Sequence, residues 1–429
     1  MRSTPDRGKQ IASPSASTAW LMADRALRLG LSFFVQVLVT RHLGPAGNGI
    51  LQTGLALAAL TAVVVELGLD GVLKRELVRS PGDAGVLLGT AAILRFIAFV
   101  PAVAVFCWAA ARNPGATTPL VAWLAVTVAL PLAQTPEAWL LATGRVPANV
   151  MAQGAGFVVA ALTRIGFALT GAAVAAFAAA AALETVIIGL ALGVTFFSVA
   201  RGARSWRWDG ARARALVGDA LPLLLTALAI MTYRRIDVVI VSHLLDESAA
   251  GIYASAVRIS EIGYLAPMIL INAWFPRLTA LHREDAAQYR AAMGEFFFRT
   301  TWSGAGFAAM ITVASPWLVR GLFGAAFADA ALPLAVHAWT AVFIGHGIAR
   351  SQWLLLENRQ LHGLWLAIGG ALANLALNFL LVPRYGMTGA AAAAIGALAF
   401  NMAVLPLFFP TLREGFVLGW KGAFKLPRA

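Results

Sequence analysis

Long apolar runs alternate with short polar segments along almost the whole chain. A helix needs about 20 mostly apolar residues to cross the roughly 30 Å hydrocarbon core of a membrane. Twelve runs meet that length, and the fifth and sixth are separated only by the turn signal TGAA at 170–173. The runs predict transmembrane helices at approximately 18–39, 46–69, 86–111, 119–143, 147–169, 172–200, 217–242, 249–275, 291–314, 328–355, 361–382 and 388–411. The predicted fold class is an all-α polytopic membrane protein.

The composition agrees with this pattern and excludes an ordinary soluble protein. Of the 429 residues, 60% are apolar and only 12% are charged, and the mean hydropathy is +0.77. Soluble globular domains carry about 25% charged residues. A soluble protein of this length could not cover its surface with so few charges, so the excess apolar surface must face lipid.

The charge distribution predicts the orientation in the membrane. With the N-terminus on the cytosolic side, 20 lysines and arginines fall in inner segments, 4 fall in outer segments and 9 lie within spans. Cytosolic loops carry the excess of these residues in membrane proteins. Both termini are therefore predicted to be cytosolic, and the number of spans must be even. The net charge of +13 serves orientation, and we expect no nucleic-acid partner.

Two pairs of segments indicate an internal duplication. His42-Leu43 and Gly49-Ile50 follow the first span, and the similar His243-Leu244 and Gly251-Ile252 follow the seventh. The segment TGAAVAA lies at the start of the sixth span, and the similar segment TGAAAAA lies at the start of the twelfth. Two six-span halves share one orientation, so an axis along the membrane normal relates them. The duplication predicts two six-helix lobes around a central cavity.

The predicted domain organisation follows from this duplication. It comprises a cytosolic tail, an N-terminal lobe, a basic cytosolic linker, a C-terminal lobe and a basic cytosolic tail. Their boundaries are 1–17, 18–200, 201–216, 217–411 and 412–429.

Arginine lies within the apolar runs at nine positions. These are Arg25, Arg28, Arg95, Arg164, Arg234, Arg235, Arg258, Arg299 and Arg350. Each costs about 2.5–3.5 kcal/mol at the centre of a spanning helix, and arginine cannot escape this cost by losing its proton. Each guanidinium must therefore reach water, a carboxylate or an anionic ligand. For Arg95, Arg164, Arg299 and Arg350 we expect snorkelling or pairing.

The other five arginines are candidates to bind an anionic head group. Arg25 and Arg28 lie in span 1, Arg234 and Arg235 in the equivalent span 7, and Arg258 in span 8. Both lobes would then present positive charge to one cavity. Guanidinium groups bind phosphate and pyrophosphate through paired hydrogen bonds.

Internal pairing is the alternative that the spacing leaves open. Asp24 lies four residues before Arg28, Asp237 three after Arg234, and Glu261 three after Arg258. Each spacing permits a salt bridge on one helix face. The same three carboxylates, Asp24, Asp237 and Glu261, are candidates to bind a coupling ion, either H⁺ or Na⁺.

No catalytic or metal-binding motif interrupts this pattern. The sequence contains no Walker A motif, no G-x-S-x-G, no dinucleotide-binding fingerprint and no histidine pair with metal-ligand spacing. We therefore predict no enzymatic activity, no metal and no cofactor other than the coupling ion.

Three segments resemble a known family. They are RHLGPAGNGILQTGLALAALTAVVVELGLDGVLKRELVRSP (41–81), YRRIDVVIVSHLLDESAAGIYASAVRISEIGYLAPMILINAWFPRLTAL (233–281) and LVPRYGMTGAAAAA (381–394). They are similar to segments of bacterial polysaccharide-biosynthesis membrane proteins. These proteins are the oligosaccharide flippases of the multidrug/oligosaccharidyl-lipid/polysaccharide exporter superfamily.

The resemblance implies a flippase of the bacterial cytoplasmic (inner) membrane. Its substrate would be a polyprenyl-pyrophosphate-linked glycan, moved by alternating access from the cytosolic to the outer leaflet. The five candidate arginines would line a cavity formed mainly by spans 1, 2, 7 and 8 and hold the pyrophosphate. The expected partners are the polyprenyl-linked glycan, membrane lipids and glycosyltransferases or a polysaccharide polymerase.

Two other functions stay open at this point. One is a cation-coupled multidrug or small-molecule antiporter of the same superfamily, which would favour an acidic and aromatic cavity. The other is a membrane scaffold that holds glycan-assembly enzymes together without transporting a substrate.

Overall fold

The computed structural model describes residues 14–113, 115–200 and 203–424, with side chains from residue 30 onward. Within these ranges the chain is helical and contains no strand. The helices are α1 Pro14–Glu66, α2 Leu69–Arg79, α3 Ala84–Ala110, α4 Thr118–Thr127, α5 Leu130–Ala142, α6 Val146–Leu169, α7 Val174–Val199, α8 Gly210–Leu244, α9 Glu247–Ser260, α10 Leu265–Glu284, α11 Ala286–Phe323, α12 Ala331–His337, α13 Thr340–Leu356, α14 Gln360–Ala399 and α15 Arg413–Phe424.

The described residues form 10 helical stretches long and apolar enough to cross a membrane. Two of these stretches are broken by a glycine with positive φ: Gly44 (φ 65°) within α1 and Gly386 (φ 59°) within α14. A straight helix of 53 residues, the length of α1, would measure about 80 Å, far more than the hydrocarbon core. Each broken stretch therefore comprises two spans, which gives the twelve spans predicted.

The turn between the fifth and sixth spans lies where the sequence indicated it. α6 ends at Leu169 and α7 begins at Val174, with Gly171 at φ 74° between them. A side chain at a positive φ is strained, so glycine suits this tight connection. The turn separates two apolar helices that hydropathy alone barely distinguishes.

Each half of the chain has its own apolar core. In the first half Phe106, Leu124 and Phe177 are buried together. In the second half Phe296 and Trp353 belong to a corresponding cluster. This division agrees with the two predicted lobes, but the exact domain boundaries stay a prediction. The parts at 1–13, 201–202 and 425–429 lie outside the described residues.

Helix α8 packs against both halves through two further apolar clusters. Near its start, Leu216 and Ala220 are buried with Leu88 of the first half. Near its end, Val241 is buried with Tyr253 of the second half. The helix begins at Gly210, so the predicted lobe boundary at 217 falls inside it. α8 is thus the structural link between the lobes.

The lobes meet closely where α1 crosses α9. This crossing lies at the end of the bundle predicted to face outside, here called the outer end. A Cβ atom added to Gly49 would overlap the backbone oxygen of Glu247, and one added to Gly251 would overlap that of Pro45. In each case the overlapped residue lies four positions before the opposing glycine. The two glycines of the sequence repeat therefore pack against each other in a nearly symmetric crossing, which is the usual use of small residues between membrane helices.

Replacing one of these glycines should separate the lobes. We expect Gly251→Ala to destabilise the protein by about 1–3 kcal/mol, because the new methyl group meets backbone that cannot move independently. The measurement is thermal unfolding of the purified protein. Gly306→Ala is the matched control, since Gly306 is also helical and has nothing within 4 Å of the added Cβ. Equal stability of Gly251→Ala and the control would contradict the close crossing.

Candidate functional site

A cavity of about 300 Å³ lies between the two halves. The first half contributes α1, α6 and α7, and the second half contributes α8, α9, the residue that follows α9 and the end of α11. Its charged lining residues are Arg164, Glu184, Arg235, Arg258 and Glu261. The remaining lining is apolar or neutral and polar. A partly enclosed cleft between lobes is a common place for a ligand site.

The structure places two of the predicted arginines in this cavity and a third beside it. Arg235 and Arg258 are lining residues. The side chain of Arg234 is 42% exposed and donates to Glu261 across 3.2 Å. The predicted residues Asp24, Arg25 and Arg28 lie outside the residues whose side chains are described. Their convergence on the cavity stays a prediction.

Arg258 connects the two lobes across the cavity. Its Nη2 donates to the hydroxyl oxygen of Ser32 on α1 across 2.8 Å. The salt bridge between Arg258 and Glu261 that the spacing left open is not formed, and the two residues interact only electrostatically; α9 ends at Ser260 and the chain continues as a 3₁₀ turn. The regular helix face that the spacing assumed ends between the two residues. Glu261 pairs with Arg234 instead.

Arg235 is the least satisfied cation of the cavity. Within the part of the chain whose side chains are described, it makes no hydrogen bond and no ion pair. Glu261 is close enough to interact with it electrostatically, but Arg234 already forms an ion pair with that carboxylate. No described residue therefore accepts a hydrogen bond from Arg235, which lines the cavity.

Asp237 does not pair with Arg234, contrary to the alternative that the spacing left open. Asp237 is buried and faces the interior of the second lobe, whereas Arg234 is exposed. Its carboxylate accepts hydrogen bonds from the Tyr253 hydroxyl at 3.2 Å and from the Asn378 amide at 2.9 Å. A carboxylate buried among neutral groups must be protonated or must bind a cation.

The surroundings of Asp237 could hold such a cation. The side-chain oxygens of Asn374 and Asn378 are buried and accept no hydrogen bond from the described residues. Carboxylate and amide oxygens are the ligands that hard cations prefer, and here the amide nitrogen of Asn378 is the atom that faces the carboxylate. The sequence indicated Asp237 as a coupling candidate, but not these two amides, which lie about 140 residues later.

A second ion pair lines the cavity from the first lobe. Arg164 of α6 donates to Glu184 of α7 across 2.7 Å, and both side chains are 23% exposed. Pairing was one of the two expectations for Arg164, and it is confirmed. Its place in the cavity was not expected. Sequence reasoning could not find it, because nothing in the spacing of residues on two different helices shows which way they face.

Neutral polar residues continue the lining towards the outer end. Ser32, Gln36 and Thr40 are spaced four apart on α1 and all line the cavity. Thr40 donates to the Asn48 side-chain oxygen at 3.2 Å. Asn48 in turn donates to the backbone oxygen of Gly251 at 2.9 Å. This chain of hydrogen bonds joins the lobes and closes the cavity at its outer end.

Three further arginines of the spans contact protein groups, although Nε and Nη2 of Arg95 are buried without a hydrogen-bond partner among the described residues. Arg299 pairs with Glu295 at 2.7 Å, as the pairing expectation required. Arg350 donates to the backbone oxygen of Asn401 at 2.8 Å. Arg95 is buried and donates to the Thr135 hydroxyl at 2.9 Å. All three lie outside the cavity lining.

Comparison with known proteins identifies one matching family model. The model described as polysaccharide biosynthesis protein matches residues 15–282, which is more than half of the chain. No curated protein sequence matches.

Solved structures of one transporter superfamily share the fold. An inward-facing multidrug resistance MATE family transporter of the MOP superfamily has a TM-score of 0.72 at 16% identity, covering 94% of this chain and 99% of that chain. A MOP superfamily transporter from Pyrococcus furiosus, described as having a binding pocket of reverse polarity, has a TM-score of 0.62 at 16% identity, covering 97% and 99%. The lipid II flippase MurJ in an inward closed conformation has a TM-score of 0.61 at 12% identity, covering 95% and 90%. At these identities the likeness establishes the fold alone.

The charges of the cavity predict opposite effects on anion binding. Arg235→Gln should weaken the binding of inorganic pyrophosphate about tenfold to a hundredfold, because it removes charged hydrogen-bond donors. Glu184→Gln should strengthen the binding, because it removes a negative charge and releases Arg164. The measurement is calorimetric titration of the purified protein.

Arg384→Gln is the control for this titration, because Arg384 is exposed and lies outside the cavity lining. An affinity that changes in the same direction in Arg235→Gln and Glu184→Gln would contradict an electrostatic role for the cavity.

Proposed function

This chain belongs to the polysaccharide biosynthesis protein family, and we propose that it is a flippase for a polyprenyl-pyrophosphate-linked glycan. It would move the glycan from the cytosolic to the outer leaflet of the bacterial cytoplasmic membrane, with both of its termini in the cytosol. The observation that carries the proposal is that Arg235 and Arg258 both line the cavity between the lobes and that Arg235 has no hydrogen-bond or ion-pair partner among the described residues.

The chemistry of this pair suits a pyrophosphate head group. Guanidinium groups offer several N–H donors in a plane and bind phosphate oxygens in a bidentate manner. Arg235 contributes donors that no described residue uses, and Arg258 contributes those not used by Ser32. Inside a protein the effective dielectric constant is lower than in bulk water, which strengthens each charged hydrogen bond.

The closed outer end supports loading from the opposite side. Asn48 and the crossing of Gly49 with Gly251 close the outer end, so the substrate would enter from the cytosolic leaflet. A pyrophosphate that replaces Ser32 as the acceptor for Arg258 would remove one contact between the lobes. Transport would then proceed by rocking of the lobes, which opens the outer end.

An antiporter for cationic drugs is less well supported by this cavity. Three arginines and two glutamates form its charged lining. Both carboxylates are neutralised, Glu184 by Arg164 and Glu261 by Arg234. A cationic substrate would therefore meet net positive charge and no free carboxylate.

The carboxylate of Asp237 is the proposed site for the coupling ion. It lies on α8 two residues after Arg235, so the occupancy of one site can influence the position of the other. Either H⁺ or Na⁺ would neutralise the buried charge, with Asn374 and Asn378 providing further oxygen ligands for Na⁺.

Arg235→Gln and Arg258→Gln should each abolish translocation of a polyprenyl-pyrophosphate-linked sugar. The measurement uses proteoliposomes, in which the sugar that reaches the opposite leaflet is detected by an impermeant lectin. Arg384→Gln should retain wild-type transport. Full activity of both cavity variants would contradict the proposal, provided that they are reconstituted in the same amount.

Asp237→Asn should separate coupling from binding. We expect the variant to retain binding of inorganic pyrophosphate, because Asp237 does not line the cavity. Its transport should no longer respond to an imposed proton or sodium gradient. The measurement is the rate of translocation in proteoliposomes with and without each gradient. An undiminished response to the same gradient would exclude Asp237 as the coupling site.

A further inference from the structure

A neutral polar surface extends from the cavity arginines to the closed outer end. Ser32 accepts a hydrogen bond from Arg258 and therefore marks the level of the arginines. Gln36 lies one helical turn further along α1, and Thr40 one turn beyond that, where it contacts Asn48. A head group bound at the arginines would have this surface on its outer side.

Gln52 contributes to the same surface from the second span of α1. It lines the cavity, and its amide nitrogen is buried without a hydrogen-bond partner among the described residues. A buried polar group without a partner costs about 1–3 kcal/mol. The protein bears this cost at a position that faces the space between the lobes.

The side-chain amide of Gln36 also has a hydrogen-bonding group that no described residue uses. Its amide nitrogen donates to the Thr40 hydroxyl at 3.1 Å. Its carbonyl oxygen accepts no hydrogen bond from any residue whose side chain is described. Gln36 and Gln52 are thus uncharged lining residues with one acceptor and one buried donor that have no partner among the described residues.

We propose that Gln36 and Gln52 form a subsite for the sugar unit that is attached directly to the pyrophosphate. Sugar hydroxyl and acetamido groups both donate and accept hydrogen bonds, which matches two amide side chains. Both glutamines line the same cavity as Arg235 and Arg258, so a sugar next to the pyrophosphate would lie within their reach. This inference rests on the proposed function and adds a basis for recognising the glycan.

The experiment compares two probes that differ only in the sugar. Undecaprenyl pyrophosphate and undecaprenyl-pyrophosphoryl-N-acetylglucosamine are titrated into the full-length protein in nanodiscs. Gln52→Leu should bind the glycosylated probe roughly 3- to 10-fold more weakly and the sugar-free probe unchanged, because it removes a neutral hydrogen bond. Gln36→Leu should behave in the same way.

Gln134→Leu is the matched control. Gln134 also has a buried amide atom without a partner among the described residues, but it does not line the cavity. It should bind both probes as the wild type does. The midpoint temperature of thermal unfolding should be equal or higher in Gln52→Leu than in the wild type. The change replaces an unsatisfied amide by an apolar group of similar size.

The outcomes separate this inference from the proposed function. The sugar subsite is excluded if Gln52→Leu and Gln36→Leu bind both probes as the wild type does. It is also excluded if they lose affinity for both probes to the same extent. If Arg235→Gln binds the sugar-free probe as tightly as the wild type, the pyrophosphate site fails instead. Loss confined to the glycosylated probe in the glutamine variants supports the subsite.

Discussion

A guanidinium group inside a membrane protein must be hydrogen-bonded or hydrated, and this requirement organises the polar interior of the bundle. Arg164, Arg234 and Arg299 are neutralised by carboxylates, and Arg350 and Arg95 bind a carbonyl and a hydroxyl group. Arg235 departs from this pattern within the described part of the chain, because it faces the cavity with neither an ion pair nor a hydrogen bond. An anion is the ligand that would complete its surroundings.

The backbone contact between the lobes determines where Arg258 can act. Because Gly49 and Gly251 lack side chains, α1 and α9 approach closely enough for Asn48 to bind across the interface. The same crossing brings Ser32 within reach of Arg258 further along the two helices. Ser32 and Arg258 thus lie on the helix pair that closes the outer end, and Arg235 lies on the neighbouring helix α8. Separation of the lobes would change both sets of contacts together.

Much of the fold could be predicted from the sequence, because the bilayer imposes a length and an apolar composition on every span. The glycines of the repeat and the turn at Gly171 were also visible in the sequence. The partners of individual charges were not. Helical spacing indicated Asp237 as a possible ion-pair partner of Arg234. In the structure the Asp237 carboxylate faces the interior of the lobe, and Glu261 forms the ion pair with Arg234. The neutral amides Gln36 and Gln52 gave no signal, since an uncharged residue costs little within an apolar run and does not stand out.

The central claim is that Arg235 and Arg258 together hold the pyrophosphate of a lipid-linked glycan between the lobes. The most direct measurement is a cryo-electron microscopy structure of the protein in nanodiscs with undecaprenyl-pyrophosphoryl-N-acetylglucosamine. The account predicts phosphate oxygens within hydrogen-bonding distance of both guanidinium groups. A head group bound outside the cavity, with Arg235 directed away from it, would contradict the account.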